Sequence, residues 1–198
     1  MLDRHRRREI SGQGSRRRLR QSRQGPSCQG RGRPRALRLQ LKGDFARAIA
    51  DYDEAIRLNP KYARAFESRG SAYGNSGDQN RAIAEYTEAI RLNPLSAHAF
   101  YNRGTAYAAK AEYDRALSDF DEAIRRAPAF PVPYYSRGLA YLEQLETDRA
   151  IADFDQAIRL RPDYAYALYW RGMAKRASGE NGDADIAAAK QLNPRIGR

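Results

Sequence analysis

From residue 48 onwards, apolar side chains recur at the spacing of a helix rather than a strand. Ala48, Ile49, Tyr52, Ala55 and Ile56 return as Ala82, Ile83, Tyr86, Ala89 and Ile90, and again as Ala116, Leu117, Phe120, Ala123 and Ile124. These steps put the apolar positions on one stripe and leave the other face charged. A second stripe precedes the first in each unit: Phe66, Gly70 and Tyr73, then Phe100, Gly104 and Tyr107, then Tyr134, Gly138 and Tyr141. The pattern predicts pairs of amphipathic helices. On the charged faces Asp53 with Arg57, Asp121 with Arg125 and Asp155 with Arg159 stand four apart with the acid first, a pairing expected to add roughly 0.2–0.5 kcal/mol each.

The stripes belong to a fixed repeat. Pro60, Pro94, Pro128 and Pro162 are 34 residues apart, as are Gly70, Gly104, Gly138 and Gly172. Each proline follows a helical segment and ends it, because it has no N–H to donate and restricts the residue before it. A glycine inside a helix costs about 1 kcal/mol relative to alanine, so its recurrence needs a compensating gain. Close approach of the partner helix is the simplest one, with Ala82, Ala116 and Ala150 small enough to admit it. Links such as Ser76-Gly77-Asp78 have turn chemistry and suit antiparallel hairpins.

These residues resemble the tetratricopeptide repeat. Phe66, Gly70, Tyr73, Ala82, Tyr86, Ala89 and Pro94 fill its pattern in one copy. Phe100, Gly104, Tyr107, Ala116, Phe120, Ala123 and Pro128 fill it in the next, and Tyr134, Gly138, Tyr141, Ala150, Phe154, Ala157 and Pro162 in the third. Arg69, Arg103, Arg137 and Arg171 depart from it by standing where leucine is more usual, which resembles a bacterial Arg-Gly subtype and implies a slightly thinner core. The resemblance implies an all-α, right-handed solenoid of helix-turn-helix hairpins. Full repeats are expected over 63–96, 97–130 and 131–164. A degenerate repeat is expected over 29–62, where Ala36 and Leu39 hold the glycine and tyrosine places, and a shortened cap over 165–198, where Ile186, Ala187, Ala188, Ala189 and Leu192 form a small-residue helix.

The net charge of +12 changes the picture at one end only. Residues 1–34 carry eleven arginines against Asp3 and Glu9, while residues 35–198 carry 25 Lys or Arg against 22 Asp or Glu. The folded body therefore has an ordinary mixed-sign surface. The tail has few apolar residues and is expected to be disordered. A nucleic-acid-binding arm and a targeting peptide are two readings of it. The preferred one is a mis-assigned start, because the tail has no lysine, is rich in residues with GC-rich codons, and joins a corrupted repeat. A cytoplasmic location is expected, since no window approaches a membrane span.

Catalytic and metal chemistry finds little support. Cys28 is the sole cysteine and has no base near it in sequence, and His5 and His98 cannot complete a zinc set. The Asp-x-Asp pairs Asp51/Asp53, Asp119/Asp121 and Asp153/Asp155 point to different sides of a helix and read as solvated faces. No phosphate-binding loop or serine elbow is present. No enzyme activity, cofactor or metal is expected.

What the resemblance implies instead is a scaffold that binds a peptide or protein partner in the groove lined by the first helix of each hairpin. Carried onto this chain, that groove would present Arg64, Glu67, Ser71 and Asn75, then His98, Tyr101, Asn102 and Thr105, then Tyr135 and Leu139, then Tyr166, Tyr169 and Met173. Tyr101, Tyr135 and Tyr169 form a column that would either anchor a partner or pack, half buried, against the next hairpin. The lysine and asparagine set of chaperone-type relatives is missing. Nucleic-acid association through the tail and homodimerisation through an uncapped N-terminal hairpin are the alternatives.

Overall fold

The structure, a computed structural model, describes Ala36 and residues 44–197. Among these residues nine complete helices follow one another: α1 (Phe45–Leu58), α2 (Ala63–Asn75), α3 (Gln79–Leu92), α4 (Ala97–Ala109), α5 (Tyr113–Arg126), α6 (Pro131–Glu143), α7 (Thr147–Leu160), α8 (Ala165–Ala177) and α9 (Asp183–Leu192). No strand occurs among them. Their ends follow from local chemistry. The carboxylates of Asp44 and Asp78 accept from the backbone N–H groups of Arg47 and Arg81, and Ser96 Oγ accepts from that of Ala99. Helix α6 opens on Pro131, where a missing N–H has no partner to lose.

Each helix packs antiparallel on the next, and the even-numbered helices α2, α4, α6 and α8 also touch one another in succession. The odd-numbered helices from α3 to α9 are not brought together in this way. The even helices therefore form the inner wall of a curved stack and the odd ones its outer wall.

What holds the hairpins α2/α3, α4/α5 and α6/α7 together is a ring seated on a glycine. A Cβ on Gly70 would lie 2.8 Å from the Tyr86 ring, on Gly104 2.8 Å from Phe120, and on Gly138 2.7 Å from Phe154. The close approach expected from the glycines is present, but the aromatic ring makes it rather than the alanines. Ala82, Ala116 and Ala150 are fully buried beside it. In the last hairpin Ile186 and the Gly182 carbonyl, each 2.7 Å from a built Cβ, take the ring's place against Gly172.

The arginines that precede these glycines are ion-pair hubs, not thin places in the core. Arg69 donates to Glu85 of its own hairpin at 2.8 Å and to Asp53 of the preceding outer helix at 2.5 Å. Arg137 repeats this with Asp153 at 2.6 Å and Asp121 at 2.5 Å, and Arg171 with Asp185 at 2.8 Å and Asp155 at 2.6 Å. Arg103 takes Asp119 at 2.8 Å but meets Thr87 Oγ1, at 3.1 Å, where the other hubs meet an aspartate. Each forked guanidinium suits a carboxylate pair, and Arg69, Arg103 and Arg137 also lie over the rings of Phe66, Phe100 and Tyr134.

This ladder corrects two expectations. Asp53, Asp121 and Asp155 pair with an arginine 16 residues on rather than with the one four residues on, while Arg57 and Arg125 turn to Glu54 and Glu122. The members of each Asp-x-Asp pair do diverge, yet Asp119 and Asp153 are buried at 4% and 5% exposure rather than solvated.

The turns inside the hairpins share one backbone conformation at one place. Gly77 and Gly179 have φ of 94° and 82°, and the same place is held by Ala111 at 57° and Leu145 at 62°. At the chain's end Ile186 and Ala189 of α9 are buried, and Ile196 folds back onto Leu168 and Ala189. Leu192 is half exposed. At the other end Ala36 is helical and packs on Ala48 and Tyr52. The rest of the degenerate half-repeat before residue 44, and the tail with His5 and Cys28, lie outside the described residues.

Two predictions follow from these positions. Leu145 is 88% exposed, so replacing it with glycine forfeits no packing and removes a left-handed backbone that costs an L-residue about 1 kcal/mol. After the added freedom of glycine in the unfolded chain, Leu145→Gly should gain roughly 0.5 kcal/mol in urea unfolding. The second concerns acid. Burial alone would raise the Asp185 carboxyl, but its hydrogen bonds from Arg171, with Lys175 nearby, outweigh this and hold it below the ordinary carboxylate range. Its stabilisation is therefore complete above the unfolded value, near 4, and is lost as pH falls through the lower folded value. Asp185→Asn should lower the melting temperature at pH 7 and narrow the drop in melting temperature between pH 5 and pH 3, measured by circular dichroism.

Candidate functional site

The inner wall carries four equivalent rows of side chains, one from each even helix. The first place in each row holds Arg64, His98, Val132 and Tyr166, and Arg64, His98 and Tyr166 are exposed. The next place holds Glu67, Tyr101, Tyr135 and Tyr169, and none of these is free. Ser96 Oγ donates to Glu67 at 2.6 Å. Phe130 packs edge-on against Tyr101 at 5.7 Å between centroids, and Tyr164 packs against Tyr135 at 5.1 Å. Gly197 lies so close to Tyr169 that a Cβ would sit 2.8 Å from the ring. Each residue that covers the column stands at the start of the following hairpin or its C-terminal equivalent, so the column is strapped to the next unit in the stack.

The remaining places differ in how much they offer a partner. Ser71 is half buried, donating to the Glu67 carbonyl and accepting from the Tyr86 hydroxyl at 3.2 Å. Asn102 and Leu139 are half buried, Leu139 within the cluster around Tyr141 and Phe154. Thr105 is exposed, as is Asn75 at the far end of α2. Met173 is exposed in the last row. The structure thus brings Arg64, His98, Thr105, Tyr166 and Met173 to the solvent side of one wall. Of the thirteen candidate residues only Arg64 and Glu67 carry a charge, and both lie on α2.

Sequence reasoning did not single out Phe130, Tyr164, Arg161 or Trp170. His98 lies 5.0 Å from Phe130 between ring centroids, and the Arg161 guanidinium stacks 3.4 Å over Tyr164. Trp170 and Tyr135 pack against the same core cluster around Tyr141 and Phe154. Burial, followed by the neighbouring phenols of Tyr164, Tyr166 and Tyr101, pushes the Tyr135 hydroxyl up to about 12, so it is a neutral hydrogen-bonding group at any physiological pH. The 34-residue spacing of Phe130 and Tyr164 was the available signal. Among the described residues no three of His, Cys, Asp and Glu converge as metal ligands, and no helix is long and apolar enough to cross a membrane.

A curved stack of antiparallel hairpins, three of them with a ring seated on a glycine, is the architecture of a helical-repeat scaffold. Three models of one repeat family cover this chain in succession, described as TPR repeat over residues 39–77 and tetratricopeptide repeat over 68–130 and 131–164. The chain belongs to the tetratricopeptide repeat family. Its fold is the right-handed solenoid of solved family members. A crystal structure of MamA superposes with a TM-score of 0.73 at 25% identity, covering 82% of this chain and 96% of that one. YrrB, described as a TPR protein with an unusual peptide-binding site, superposes at 0.65 with 21% identity, over 81% and 84% of the two chains. The first TPR domain of Spaghetti (RPAP3), solved with the HSP90 peptide SRMEEVD, superposes at 0.58 with 23% identity over 60% and 94%. No curated protein sequence gives a significant match.

The straps have a measurable consequence. Tyr101 packs on Phe120 as well as Phe130, so Tyr101→Ala should destabilise the fold by about 2 kcal/mol in urea unfolding, less than a fully buried aromatic would lose. Tyr101→Phe keeps the ring and should change stability by less than about 0.5 kcal/mol.

Proposed function

We propose that the protein is an interaction scaffold that binds an extended segment of a partner protein along the inner wall of α2, α4, α6 and α8, and that it catalyses no reaction. The carrying observation is the wall itself: a nearly uncharged surface within a body whose other faces are dense in ion pairs, with His98, Thr105, Tyr166 and Met173 exposed along it. Exposed aromatic and thioether groups offer contact area at little desolvation cost, and hydroxyl and imidazole groups between them can meet a peptide backbone. Peptide binding by YrrB and by the RPAP3 domain supports the reading for this family. On this reading the tyrosine column shapes the wall, and the exposed residues beside it make contact.

The chain carries one tryptophan, Trp170, set on α8 within this wall. Peptides selected on the intact protein from a random displayed library should alter Trp170 fluorescence on binding. The triple variant His98→Ala/Tyr166→Ala/Met173→Ala should keep its helical circular dichroism and bind those peptides at least about tenfold more weakly, a loss of 1.4 kcal/mol. Failure to select any peptide, or equal binding by the folded variant, would remove the inner wall as the site.

A further inference from the structure

We propose that the joint between hairpin α2/α3 and hairpin α4/α5 is a hinge, the place at which the solenoid opens. Three kinds of side-chain tie recur between neighbouring hairpins in this fold, and all three are weaker at that one joint, whose own addition is a bond from Arg126 of α5 to the Pro94 carbonyl in the α3–α4 link at 2.6 Å.

The first tie is the ion-pair ladder on the outer wall. Asp53, Asp121 and Asp155 each bind the arginine of the following hairpin at 2.5–2.6 Å. At the α3–α4 joint the place belongs to Thr87, whose hydroxyl accepts from Arg103 at 3.1 Å while donating to the Ile83 carbonyl. A neutral acceptor replaces a charge-assisted one, and the pull across the joint falls accordingly. The second tie is the strap on the inner wall. Phe130 on Tyr101 and Tyr164 on Tyr135 are ring-on-ring contacts, whereas at the α3–α4 joint the same two places hold Ser96 and Glu67, joined by one hydrogen bond.

The third tie runs between the turns at the edge of the stack. Gln144 donates to Asp114 at 2.7 Å and the Tyr113 hydroxyl to Glu143 at 3.4 Å, closing the turns at the α5–α6 joint around a cleft of about 290 Å³. The equivalent places one unit earlier hold Lys110, Asn80, Ala109 and Gln79. Lys110 turns to Glu112 of its own hairpin at 2.5 Å, and a cleft of about 530 Å³ opens between Ser76–Asn80 and Lys110. The α7–α8 joint shows no bridge between its turns either, but it keeps both the ion pair and the aromatic strap.

Apolar contact is retained at the hinge, since Tyr86 of α3 packs on Ala106 of α4. The joint therefore keeps its apolar packing and single hydrogen bonds, while the ion pair and the ring-on-ring strap of the other joints are replaced. Rotation there would change the spacing between Glu67 and Ser71 on one side of the inner wall and His98 and Tyr101 on the other, which alters the width of the wall's polar end without disturbing Tyr166 and Met173.

In a linear repeat array, stability is close to a sum of units and the interfaces between them, so a weak interface separates the unfolding of its two sides. Far-UV circular dichroism reports all helices, whereas Trp170 on α8 reports only the C-terminal side. In urea the full chain should lose about a third of its helical signal, the share of α1 to α3 among the described helices, before Trp170 fluorescence changes. Thr87→Asp, which copies the residue of the other three rungs, should bring the two transitions together. Asp121→Thr should instead open a second gap at the next joint, so that helix content lost before the Trp170 transition rises to nearly three-fifths, the share of α1 to α5. Amide hydrogen exchange supplies the location: protection should step up between α3 and α4, whereas simple end fraying would give a gradual rise from α1 inward. Coincident transitions in the unmodified chain, a gap that Thr87→Asp leaves untouched, or a gradual exchange profile would each overturn the hinge.

Discussion

An aromatic ring resting on a helix with no Cβ is the contact from which the rest of this structure is built. The ring of Tyr86, Phe120 or Phe154 lies where an alanine methyl would stand, so the two helices of each hairpin sit closer than side-chain packing alone permits. That seat fixes rotation as well as distance. With the glycine turned toward its partner, the residue just before it is turned toward the outer wall, and in all four copies that residue is arginine. Its guanidinium then reaches an acid on the adjacent outer helix of its own hairpin and a further group one hairpin back. One small residue thus sets the geometry in which a large charged one can tie three helices.

The two walls of the stack consequently use different physics. On the outer wall, charges are held by forked hydrogen bonds at sites such as Asp119 and Asp153 that are almost fully buried, where an unpaired carboxylate would be costly. On the inner wall, rings cover rings, and apart from Arg64 the few polar groups are neutral or already bonded. The alanines between the walls, including Ala82, Ala116, Ala150 and Ala157, are fully buried and keep the sheet of helices thin enough for both sets of ties to span adjacent hairpins.

Much of this was legible in the sequence, and the rest was hidden for identifiable reasons. The hairpins, their ends and the inner-wall helices were readable because each is encoded within a few residues and repeated every 34. The ladder was not, because each arginine meets its partners 16 residues away on other helices, and a local acid–base spacing such as Asp53 with Arg57 offers a plausible rival. The structure resolves the rivalry by giving Arg57 to Glu54. The tyrosine column was readable as a stripe, but its cover was not, since Phe130 follows Tyr101 by 29 residues across a complete helix. The left-handed turn residue was visible as glycine in the first and last turns and concealed as Ala111 and Leu145 between them.

A solenoid has no contact that closes one end on the other, so a change in one copy is felt at its own joints and is not averaged over the fold. This makes departures from the repeat more informative than the repeat itself. The shared positions specify a stack that many unrelated scaffolds possess. The individual ones grade the inner wall from Arg64 and Glu67 at one end to Tyr166 and Met173 at the other, and they place threonine and serine where neighbouring copies have aspartate and an aromatic ring. The first set of differences decides what the wall can hold. The second decides where the wall can move, and the two meet at α4, whose exposed His98 and Thr105 lie beside the proposed hinge and face the same groove.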